Sequence, residues 1–90
     1  MSVKIKLHHS LAKLADGQAV VEVSGNTVGQ CLEQLVTRFP KLGKRLFEKD
    51  GALSRALEVY LNGESICPGE LATAVKDSDE LDTAVRISGG

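Results

Sequence analysis

Across this 90-residue sequence, one stretch sustains helical spacing of its apolar residues. Val28, Cys31, Leu32, Leu35, Val36 and Phe39 recur at intervals of three and four, which gathers them into a single stripe. Such a helix must lay its stripe against something, and a chain this short builds one core. Most of the other apolar residues alternate with polar ones, the spacing of half-buried strands. One helix packed on one sheet is therefore the architecture open to the chain.

The local signals bound these elements. Thr27 with Gln30 three residues on forms a capping-box arrangement at the helix start, and Pro40 ends the run. Val3-Lys4-Ile5-Lys6-Leu7 alternates strictly, with both lysines facing away from the apolar side, and places His8 and His9 at the strand end. After the turn dipeptide Asp16-Gly17, residues 18–23 carry Val21 and Val23 on one face and read as an antiparallel partner. Residues 41–53 loosen into a loop with a helical piece anchored by Leu42, Leu46 and Phe47. Residues 57–61 alternate again and run into Asn62-Gly63, a tight-turn signal, with 64–66 as a short return strand. Cys67-Pro68-Gly69 is a bend, 71–75 a short irregular or helical piece, and Asp77-Ser78-Asp79 a turn. The last strand, 81–87, turns Leu81, Thr83, Val85 and Ile87 one way and Asp82, Ala84 and Arg86 the other.

The order is strand, strand, helix, strand, short strand, strand. It predicts an α+β fold, the ubiquitin-like β-grasp: a mixed sheet of four to five strands covered by one main helix, ββαβ(β)β. In that fold the last strand lies in the middle of the sheet. The domain is expected to span residues 1–88, with 89–90 as a flexible tail.

Composition removes several function classes. A net charge of −1 supplies no positive field for nucleic acid or an anionic membrane, and Phe39, Phe47 and Tyr60 are too few to stack bases. No apolar segment approaches membrane-spanning or signal-peptide length. The two cysteines, Cys31 and Cys67, lack zinc-site spacing and are too few for a disulfide scaffold, which points to a reduced cytoplasm.

The terminal pair Gly89-Gly90 calls for a reason other than stability, because glycine costs the most backbone entropy and packs nothing. Without a Cβ on either residue, the tail can thread extended into a narrow channel and offer its α-carboxylate to a catalyst.

At this point the chain resembles the MoaD/ThiS sulfur-carrier family over nearly its whole length. The resemblance rests on the alternating first strand, the Thr27-Val28-Gly29-Gln30 helix start with Leu32, Leu35 and Pro40, and the Val59-Tyr60-Leu61-Asn62-Gly63 strand and turn. It also rests on the stretch from Leu71 through Asp77-Ser78-Asp79-Glu80-Leu81 and on its spacing to Gly89-Gly90. The chain departs from the family in three places. Ser78 stands where glycine is usual, which predicts a turn without positive φ; residues 85–88 hold no proline; and 41–56 is longer than in the shortest members.

The resemblance implies that Gly90 carries the reactive group and Gly89 keeps the thread narrow. It implies a ubiquitin-activating-type adenylating enzyme as partner, which uses ATP and magnesium to form an acyl-adenylate that a sulfur donor converts to a thiocarboxylate. The second partner would be a sulfur-accepting synthase subunit or enzyme, in molybdopterin, thiamine or cysteine biosynthesis. The chain would then be a carrier or co-substrate, or the small subunit of a synthase complex, with no catalytic residues and no bound cofactor of its own. The alternatives are a ubiquitin-like modifier joined to lysines through Gly90, and an interaction module that is not conjugated.

Other residues carry blander expectations. Adjacent strand residues point to opposite faces, so His8 and His9 are not expected to share a metal. Cys31 belongs to the helix stripe and Cys67 to a bend, and both are read as structural. Arg38, Lys41, Lys44, Arg45 and Lys49 form a basic run, and Asp77, Asp79, Glu80 and Asp82 an acidic one, both read first as solvated faces. An activating enzyme must grip the body while the tail enters its site, so Asp82, Ala84 and Arg86 are the docking candidates.

Overall fold

The computed structural model describes residues 2–66 and 70–85. Strand β1 (Ser2–Lys6) pairs antiparallel with β2 (Val20–Ser24), bringing Val3 opposite Val23 and Ile5 opposite Val21. Those four side chains are buried, and they form the inner face that the alternation predicts. Strands β3 (Leu57–Leu61), β4 (Glu64–Ser65) and β5 (Glu80–Val85) complete a five-stranded sheet in the order β2-β1-β5-β3-β4. β5 lies at its centre, parallel to β1 and antiparallel to β3.

The main helix spans Val28–Arg38 and is the longer partner of two four-residue helices, His9–Ala12 and Gly43–Leu46; in chain order these are α2, α1 and α3. Val28, Cys31, Leu32 and Leu35 are completely buried beneath the sheet with Val3, Ile5 and Leu81. The helix start differs from the expected capping box by one residue. Thr27 Oγ1 accepts from the Gln30 N–H at 3.2 Å, but Gln30 Oε1 reaches back to the Asn26 N–H at 2.8 Å rather than to that of Thr27. Thr27 forms an isolated antiparallel bridge with Ala74. The segment around it crosses α2: Val28 N–H donates to the Thr73 carbonyl at 2.9 Å, and Val75 N–H to the Asn26 carbonyl at 3.0 Å. Close approach here needs Gly29, where a Cβ would stand 2.9 Å from the Leu71 carbonyl oxygen.

Three expectations are corrected. First, residues 9–15 are helical: His8 caps α1, and a 3-10 turn, Lys13–Ala15, follows. Burial of Leu11, Ala12 and Ala15 holds this piece, which is too short to declare itself by periodicity. Second, β2 starts at Val20, after the expected residue 18. Third, Ser78 has φ +72°. It is the second central residue of the turn closed by Asp79 N–H to the Lys76 carbonyl at 3.1 Å, where type II turns demand positive φ. Hydrogen bonds override the residue's preference: Ser78 N–H donates to the Ser2 carbonyl at 2.8 Å, Ser2 N–H to Asp77 Oδ1 at 2.7 Å, and Lys76 N–H to Asp79 Oδ2 at 2.7 Å.

The other turns and the loop follow their sequence signals. Pro40 begins a 3-10 turn, Pro40–Leu42, that leads into α3, and Phe47 bridges Leu53 within the predicted loop. Asn62 (φ +50°) and Gly63 (φ +88°) make the two-residue connection from β3 to β4, both positive as a type I′ turn requires.

Candidate functional site

Strand β5 leads towards Gly89-Gly90, so its surroundings define the candidate site. Its inner residues are sealed: Leu81 is fully buried, and Thr83 is 2% exposed. The Thr83 hydroxyl donates to the Lys6 carbonyl at 2.9 Å and accepts from the His8 N–H at 3.4 Å, so the strand is tied to β1 by more than its ladder. At its entry, Lys4 N–H donates to the Asp79 carbonyl at 3.0 Å, and Asn62 N–H to the Glu80 carbonyl at 2.9 Å. β5 is therefore held on its β3 edge over residues 81–85, and on its β1 edge over residues 80–82 and at Thr83.

The opposite face of the sheet is open. Asp82 is exposed there and Ala84 half-buried, as the alternation predicts. Pairing brings Asp82 between Lys6 of β1 and Tyr60 of β3, and Ala84 opposite Glu58. Lys6 Nζ lies 3.0 Å from Glu80 Oε1, and Tyr60 donates its hydroxyl to Glu58 Oε2 at 2.7 Å. The hydrogen bond to Glu80, with that carboxylate's charge, holds the Lys6 ammonium above its usual range. The face thus presents lysines on β1 beside carboxylates on β5 and β3, with Ala84 as a small apolar floor. Sequence reasoning picked out the β5 residues and passed over Lys6, Glu58 and Tyr60. The alternation of their own strands turned them outward, but which strands flank β5 is not a local property.

Arg86, Gly89, Gly90 and Cys67 lie outside the described residues. Cys31 is fully buried, and burial pushes its thiol pKa up, away from reactivity. His8 and His9 do not diverge as strand neighbours would: their ring centroids are 4.1 Å apart, because the chain turns into α1 between them. The His8 imidazole is engaged at Nδ1 by Ser10, through its N–H at 3.2 Å and its hydroxyl at 2.8 Å. Among the described residues no group of three or more His, Cys, Asp or Glu side chains is arranged to hold a metal. No described helix is long and apolar enough to cross a membrane. The polar depression beside α2, lined by Ser24, Asn26, Gln30, Glu33 and Gln34, includes no residue of β5.

The fold and this central strand have counterparts among known proteins. The model of the ThiS family matches residues 5–90. The chain belongs to the ThiS family. Within reach of this ThiS-family chain is the sulfur carrier protein CysO of Mycobacterium tuberculosis, 30% identical over 93 residues that cover 100% of both proteins. The small archaeal modifier protein 1 of Haloferax volcanii is 40% identical over 87 residues, covering 94% of this chain and 97% of that one. In the crystal structure of the Amycolatopsis orientalis BexX/CysO complex, the matching chain superposes with a TM-score of 0.87 at 29% identity, covering 98% of this chain and 99% of that one. The ubiquitin-like β-grasp read from the element order is the fold of these proteins.

Proposed function

We propose that this ThiS-family protein carries sulfur on the α-carboxylate of Gly90. The observation that carries the reading is the position of β5: a strand gripped on both edges is the base from which the chain continues to Gly89-Gly90. Kinship with a protein named as a sulfur carrier over 100% of both chains supports it.

A free α-carboxylate, with a pKa of about 3.3–3.7, is ionised in the cell and is a poor electrophile. A ubiquitin-activating-type enzyme would supply ATP and magnesium: a Gly90 carboxylate oxygen attacks the α-phosphorus, and pyrophosphate leaves. A sulfur nucleophile at the sulfide level then attacks the acyl carbon, AMP leaves, and Gly90 ends as a thiocarboxylate. That sulfur, more nucleophilic than the oxygen it replaces, passes to an acceptor bound in a second enzyme. Gly89 keeps the thread narrow enough to enter either site. The chain supplies the cargo group and a docking surface, and the partners supply catalysis. Asp82, Ala84 and Arg86 are the proposed contacts of the activating enzyme, and the relative solved in a BexX/CysO complex supports a partner enzyme of some kind. The cytoplasm offers the ATP and reduced sulfur that this chemistry needs.

A second reading is favoured by the 40% identity to a small archaeal modifier protein. In it the activated Gly90 acyl group is transferred to a lysine amine instead of to sulfur.

The test is to combine the protein with its host's adenylating enzyme, ATP and a sulfide source and take an intact mass. Exchange of one oxygen for sulfur, confined to the C-terminal peptide, is the expected result. Absence of both adenylate and thiocarboxylate would sink the carrier reading, and lysine-linked conjugates in host cells would move the assignment to the modifier.

A further inference from the structure

Asn62 is followed by Gly63 in an exposed turn, and its side chain does two things at once. Nδ2 donates to Asp79 Oδ1 at 3.1 Å, and Oδ1 accepts from the Glu80 N–H at 3.0 Å. The amide therefore latches the β3–β4 turn to the turn that opens β5. An asparagine before glycine is also poised for self-modification, since glycine has no Cβ to shield its nitrogen. We propose that Asn62 is a deamidation site gated by this latch, unreactive while the amide is held by Asp79 and Glu80 and reactive when the turn opens.

The chemistry needs only water. The Gly63 main-chain nitrogen gives its proton to solvent and attacks Asn62 Cγ. The Cγ–Nδ2 bond breaks, and the nitrogen takes up a proton from water and leaves as ammonia. The resulting five-membered succinimide is opened by water at either carbonyl, giving aspartate or isoaspartate at position 62. Attack requires Cγ to swing onto the Gly63 nitrogen, which pulls both ends of the amide out of their hydrogen bonds. The two constraints are thus the same contact seen from two sides.

The product cannot close the latch again. An aspartate at position 62 has no side-chain N–H to offer Asp79, and it sets a second carboxylate against that of Asp79. Asp79 is held ionised by the Lys76 N–H and the Asn62 amide, which keep its carboxyl below the usual range. An isoaspartate also adds a backbone atom to a two-residue turn whose φ values, +50° and +88°, leave no slack. Each opening that ends in reaction therefore marks the molecule permanently at the entry of its central strand.

Peptide mapping by mass spectrometry after incubation in mildly alkaline buffer reads the conversion directly, with Asn26, which precedes Thr27, as the internal reference. Native wild-type protein should react slowly and the urea-unfolded chain fast. The folded Asp79→Ala variant should react faster than native wild type by roughly 10- to 150-fold, the weight of one charge-assisted hydrogen bond. Gly63→Ala should suppress the reaction in the unfolded chain. Equal rates in native and unfolded wild type would overturn the proposal, as would a folded Asp79→Ala variant no faster than wild type. Should Asp79→Ala fail to fold, the native-against-unfolded comparison decides alone.

Discussion

The Thr83 hydroxyl donates to the Lys6 carbonyl at 2.9 Å, joining the centre of β5 to the end of β1 where the ladder between them runs out. Among the described residues Thr83 is the buried polar side chain of the core, and its oxygen also receives the His8 N–H. Thr83→Val keeps the shape and strands both partners, so it should cost about 1–3 kcal/mol. Thr83→Ser keeps the hydroxyl and loses one methyl, for about 0.8 kcal/mol. Urea unfolding of the two variants checks the order, and a valine variant as stable as wild type would refute the role given to the hydroxyl.

Ser78 pays for its φ of +72° in backbone strain. Glycine would relieve about 1–2 kcal/mol of left-handed strain and give back about 0.4–1 kcal/mol through the more flexible unfolded chain. Ser78→Gly should therefore raise stability by up to about 1.6 kcal/mol, while Ser78→Val should lower it. Thermal midpoints under identical buffer would reveal either sign.

Asp79 makes stability depend on pH. Its folded pKa lies below the unfolded value, so its contribution is complete above the unfolded carboxylate pKa of about 3.9 and is lost as pH falls through the folded value. Asp79→Asn cannot titrate and should flatten the acid limb of a plot of urea midpoint against pH. Parallel acid limbs for the variant and wild type would remove Asp79 from the account.

The open sheet face offers a functional test separate from folding. Asp82 is exposed and Ala84 lies opposite Glu58, so Ala84→Arg adds bulk to this face beside a carboxylate. Asp82→Ala and Ala84→Arg should each slow activation of Gly90 at limiting carrier concentration by about tenfold, equivalent to about 1.4 kcal/mol of docking energy. Thermal midpoints should stay near that of wild type. Unchanged activation kinetics in both variants would move the docking surface elsewhere.

Local pattern alone determined much of this molecule. The three-and-four spacing from Val28 to Leu35 set the helix and its buried face, and the alternation in residues 3–5, 57–59 and 81–83 set the inner face of the sheet. Asn62-Gly63 set its turn, because one dipeptide carries the whole demand for positive φ. These signals act over a few residues and so survive in any linear reading.

What the tertiary structure decided is whatever depends on partners distant in sequence. Leu11, Ala12 and Ala15 became helical because a core received them; Ser78 accepted positive φ because Ser2, Asp77 and Asp79 closed hydrogen bonds around it. Lys6 meets Glu80, and Asn62 meets Asp79, only once β5 has slipped between β1 and β3. A strand's own residues say which way its side chains point. Which neighbours they point beside is settled by the pairing that buries the most apolar surface while leaving the fewest backbone groups unsatisfied.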